Sequence, residues 1–96
     1  MTDLTLISDG TYQVKPLIEA ALEHELRLLE VGIRQTEHRL RMFEGHYHKP
    51  TSDFIVEYEN DQFEETLDFI EWIGEYRLLV CLREKTDALR SIHFAH

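Results

Sequence analysis

Residues 22–47 read LEHELRLLEVGIRQTEHRLRMFEGHY. Leu22, Leu26, Leu29, Ile33, Thr36, Leu40, Phe43 and Tyr47 follow one another at alternating spacings of four and three. On an α-helix such positions fall along one line, a heptad seam of the coiled-coil type, here apolar except at Thr36. Glu23–Arg27, Glu30–Arg34 and Glu37–Arg41 stand four apart with glutamate first, the order that supports an exposed helix face. Pro16 suits the first helical position, and Gly45 followed by Pro50 supplies a stop. The spacing predicts one long helix from Pro16 to about Glu44.

Outward from this helix, Thr51, Ser52 or Asp53 can cap a short helix from about Asp53 to Asn60, which Asn60-Asp61 breaks. A second long helix is expected from about Glu64 to Ile92. Phe69, Ile70, Trp72, Ile73 and Tyr76 lie on its first half, beside a narrow polar stripe of Asp68, Glu71 and Glu75. Leu78-Leu79-Val80-Cys81-Leu82 is then apolar on every face. A helix of that kind must be covered all round, which one partner in a hairpin cannot do. The expected fold is all-α: an antiparallel helical hairpin with a short helix between its arms. Two copies would pair into a four-helix arrangement through Leu78, Leu79, Val80 and Leu82.

The N-terminal stretch has a different character. Leu4-Thr5-Leu6-Ile7 and Thr11-Tyr12-Gln13-Val14 are β-rich and flank Ser8-Asp9-Gly10, a turn signal. Residues 1–15 are expected to form an arm or a β-hairpin, and residues 16–96 the helical domain. A lone hairpin is marginal in water, so it must pack, pair or stay loose.

Composition narrows the functional classes. Of 96 residues, 43% are hydrophobic and 10% aromatic, too many for a disordered chain. A single cysteine, Cys81, excludes an internal disulfide and a cysteine-rich zinc site. Cys81 stands in the most apolar stretch and reads as a buried small hydrophobe. The longest apolar run, Leu78 to Leu82, is far too short for a bilayer, and no secretory signal is visible. A reducing, cytoplasmic setting is expected.

Charge points to a binding role. From Pro50 to Tyr76 the chain carries nine acids, Asp53, Glu57, Glu59, Asp61, Glu64, Glu65, Asp68, Glu71 and Glu75, and no Lys, Arg or His. The whole chain has 19 acids and 10 Lys plus Arg, so its formal charge of −9 sits entirely in this segment. Such a field repels nucleic acid and attracts a basic protein. Phe54, Glu57, Asp61, Glu64, Glu65, Asp68, Phe69 and Trp72 are the candidate partner-binding residues, carboxylates for steering and aromatics for contact. Phe69, Trp72 and Tyr76 also have helical spacing, the mark of a core stripe.

Three kinds of chemistry find weaker support. His46 and His48 have no third ligand at metal spacing, and neither long helix carries a paired Glu-x-x-His tetrad, so no cofactor is expected. Arg41 to His46 fits the loose Arg-x4–6-His spacing of helical HEPN ribonucleases, and Arg90 to His96 fits it equally. That pattern is therefore unspecific, and the acidic segment beside His46 opposes RNA. No glycine-rich phosphate loop or nucleophile–base arrangement stands out. No enzymatic activity is expected.

The order of features also carries a resemblance. Phe43-x-x-x-Tyr47, Thr51-Ser52-x-Phe54, the acidic stretch, Asp68-x-x-Glu71-Trp72 and Leu78-Leu79-x-x-Leu82 follow in sequence. The chain thereby resembles small prokaryotic helical proteins encoded in two-gene, toxin–antitoxin-like modules. The resemblance spans roughly residues 22–90, and Gly45-His46 replaces the basic residue more usual before the tyrosine. It implies an antitoxin-like role without catalysis, with a partner encoded by a neighbouring gene.

Overall fold

A computed structural model describes residues 14–62 and 64–92 of the chain. Over those residues it is helical, with α1 at Val14–Tyr47, α2 at Thr51–Glu59 and α3 at Leu67–Arg90. No strand occurs among the described residues. Cross-helix pairs show α1 and α3 to be antiparallel. Glu30 accepts from Arg90 at 2.6 Å, Glu37 accepts from Arg83 at 2.8 Å, and Tyr47 donates to Asp68. The hairpin expected from the seam is therefore present, with α2 packed at its closed end.

All eight seam residues of α1 are buried or half-buried: Leu22, Leu26, Leu29, Ile33, Thr36, Leu40, Phe43 and Tyr47. Thr36, the one polar member, is buried without loss because its hydroxyl donates to the Gly32 carbonyl at 2.8 Å. Thr86 on α3 does the same to Leu82 at 2.9 Å. The main core gathers at the closed end: Leu40, Phe54, Ile55, Trp72, Ile73 and Leu79.

The element boundaries differ from the expected ones for local reasons. α1 starts at Val14, so Pro16 lies inside its first turn, where a missing N–H is harmless. Val14, expected to end a strand, is helical; the rest of the expected β-hairpin, residues 1–13, lies outside the described residues. Gly45 does not end α1, which continues to Tyr47. His48, at φ 55°, makes the left-handed stop. Tyr47 packs on Phe69 and Trp72 at ring-centre distances of 5.2 and 5.6 Å, and this contact holds the last turn together. It outweighs the roughly 1 kcal/mol handicap of a helical glycine.

α2 starts at Thr51, earlier than Asp53, and ends at Glu59 just before Asp61, which takes φ 54°. α3 starts at Leu67 and not at Glu64, because Thr66 caps it by accepting the Phe69 N–H at 3.1 Å. Two expectations about side chains also change. Glu30 and Glu37 reach across to α3 instead of along α1. Cys81 is exposed, not buried. Along Leu78–Leu82 the hairpin offers α3 only one neighbour, so Leu79 is buried and Leu82 half-buried, while Leu78, Val80 and Cys81 face outward.

Candidate functional site

The closed end of the hairpin is built around Trp72. Its ring lies flat against Phe54, 3.9 Å between centres, and stacks with Phe43 and Tyr47 at 5.6 Å. Its indole N–H donates to the Thr51 hydroxyl at 3.0 Å. The Thr51 backbone N–H donates in turn to the Glu44 carboxylate at 2.8 Å. One relay thus ties the end of α1 to the start of α2 and the second turn of α3. It satisfies the buried indole and caps the first turn of α2 with an anion.

Burial sorts the sequence-derived partner-binding residues. Phe54 and Trp72 have 0% exposure, so they are core residues and offer nothing to a docking protein. Phe69 is half-buried. Glu57 is tied to Lys49 at 2.5 Å, and Glu65 accepts from the Tyr58 hydroxyl at 3.0 Å. Asp68 accepts from Tyr47. These two carboxylates hold their phenols in the protonated form: Tyr47 titrates above its ordinary 10.0 because its O–H donates to Asp68, and Tyr58 does so through Glu65. Asp61 and Glu64 are exposed, as are Asp53, Glu59 and Glu71.

The structure adds apolar residues to this acidic end that the aromatic pattern hid. Leu67 is 79% exposed and Ile70 47%, both on the first turns of α3 beside Glu64 and Glu71. Val56 on α2 is exposed as well. Their signal was the outward spacing of Leu67, Ile70, Gly74, Leu78 and Cys81, which runs three, four, four and three. An open groove of about 740 Å³ lies between α1 and α3 on one side, lined by Met42, Phe43 and His46 opposite Glu71 and Gly74. A second, on the other side, is lined by Arg41, Ser52 and Val56.

Of the pair suggested by ribonuclease spacing, His46 lines the first groove and Arg41 the second. His96 lies outside the described residues. Among the described residues, no three His, Cys, Asp or Glu side chains gather as a metal cage requires. No helix among them is long and apolar enough to cross a membrane. Comparison with protein-family models gave no match, and neither did comparison with curated proteins or with solved structures.

Proposed function

We propose that the chain is a non-enzymatic, cytoplasmic protein–protein interaction module, antitoxin-like in role, that receives a basic protein at its acidic closed end. The observation that carries this reading is the exposed mixture at the start of α3: Glu64, Glu71, Leu67 and Ile70, next to Asp61 and Glu59. Carboxylates there steer a basic surface, and Leu67 and Ile70 supply the apolar contact that burial removes from Phe54 and Trp72. Glu57, Glu65 and Asp68 add to the field while fixing Lys49, Tyr58 and Tyr47. Self-association through the outward Leu78 and Val80 belongs to the same reading, since α1 covers only part of that segment.

The test is co-purification with the product of the neighbouring gene at low salt. Glu64→Lys with Glu65→Lys should slow association, and Leu67→Asp should speed release. Recovery of no basic partner, or a partner indifferent to all three changes, refutes the reading. Incubation with mixed RNA checks the other class: cleavage abolished by His46→Ala would make the protein a ribonuclease.

A further inference from the structure

The outward face of α1 carries a second heptad line that is exposed along its whole length and touches the hairpin groove only at Met42. Leu17, Ala21, His24, Leu28, Val31, Gln35, His38 and Met42 alternate at spacings of four and three, with no Asp, Glu, Lys or Arg among them. All eight are exposed, Met42 to 63% and Leu28 to 54%. One edge of this line is a row of arginines one heptad apart, Arg27, Arg34 and Arg41. Successive members are about 10 Å apart along the axis. The expected partners of Arg34 and Arg41 were Glu30 and Glu37, but those carboxylates are engaged by Arg90 and Arg83. Among the described residues, Arg27, Arg34 and Arg41 make no ion pair.

We propose that this face of α1 docks an amphipathic helix of another protein, one with acidic residues flanking its apolar line. An uncharged seam with unpaired arginines along one edge, and Ile18, Glu25, Gly32 and Arg39 along the other, fits a helix that sets carboxylates against the arginine edge, by the flank rule of coiled coils. The same rule argues against a second copy as the occupant. A parallel copy would set Arg34 against Arg39, which Glu75 already engages, and so give the row no carboxylate, and an antiparallel copy would set the arginine row against itself. This surface runs along the shaft of α1 and meets the acidic closed end only at Arg41 and Met42, which border the two grooves there; its arginine edge is basic where that end is acidic.

The experiment uses the full chain and two fluorescent peptides of about four heptads. Both carry leucine and isoleucine along the seam; one has glutamate at the flanks and the other lysine. The glutamate peptide should bind about tenfold more tightly than the lysine peptide at physiological salt. The triple change Arg27→Glu, Arg34→Glu, Arg41→Glu should reverse that order. Val31→Asp should abolish binding of both while leaving helicity unchanged. Glu64→Lys with Glu65→Lys should leave glutamate-peptide binding in place. Equal binding of the two peptides, binding of neither, or loss of binding through Glu64 and Glu65 overturns the proposal. So does a dimer in sedimentation that Val31→Asp splits, because it would make a second copy the occupant.

Discussion

At Thr51 one residue joins three helices, its backbone N–H donating to Glu44 and its hydroxyl accepting from Trp72, and the chemistry of that hydroxyl can be separated from its size. Thr51→Val keeps the shape but leaves the Trp72 indole N–H buried without an acceptor. The loss should be about 1–3 kcal/mol. Thr51→Ser keeps the oxygen and should retain most of the stability; urea denaturation of the two variants checks the contrast. Gly45 and Gly74 sit inside helices with nothing within 4 Å of the position a Cβ would take. Gly45→Ala and Gly74→Ala should each stabilise by about 0.5–1 kcal/mol, seen as a higher Tm. Tyr47 and Tyr58 make alkaline stability legible. Their pKa values are raised in the fold, so their contribution is full below the ordinary tyrosine value of 10.0 and is lost as pH climbs through the folded one. Tyrosinate absorbance should show late-titrating phenols that disappear one at a time in Tyr47→Phe and Tyr58→Phe.

Helices show where sequence patterning is enough and where it stops. The α1 seam was readable because eight positions share one period, and every one of them turns inward. Gly45 reads as a stop because glycine ends helices, but the deciding contact, Tyr47 on Phe69 and Trp72, comes from residues more than twenty positions away. The start of α2 also depends on another helix, since its first N–H is met by a carboxylate seven positions earlier on α1. Aromatics interleaved with acids suggest a contact surface, and the helical spacing of Phe69, Trp72 and Tyr76 suggests a core stripe; packing decides for the core, with Trp72 facing Phe54 inside. Trp72→Ala should therefore cost about 3–5 kcal/mol, a large share of the stability of so small a domain, and calorimetry measures it. Val80 behaves in the opposite way. It is 37% exposed on a single chain, so Val80→Asp should leave monomer helicity nearly unchanged. If copies assemble through α3, light scattering at micromolar concentration should show a dimer or larger species that this change splits. A wild-type monomer would remove that assembly.

Over the whole molecule, charge and burial are both unevenly distributed. The acidic excess lies at the end formed by α2 and the start of α3, and the unpaired arginines lie along the shaft of α1. Association at the acidic end should slow as salt rises, chiefly in the on-rate, because steering charges are screened within about 10 Å at 0.1 M. Stopped-flow measurement at two ionic strengths would show it. The clustered core residues Leu40, Phe54, Ile55, Trp72, Ile73 and Leu79 sit toward the closed end, with Leu29 buried apart from them on the shaft of α1, whereas Val14 and Arg90 end their helices at the opposite end. The chain should therefore open like a zip. Amide protons near Val14 and Arg90 would trade with deuterium through local fraying, and those around Leu40, Ile55 and Ile73 only when the entire fold lets go.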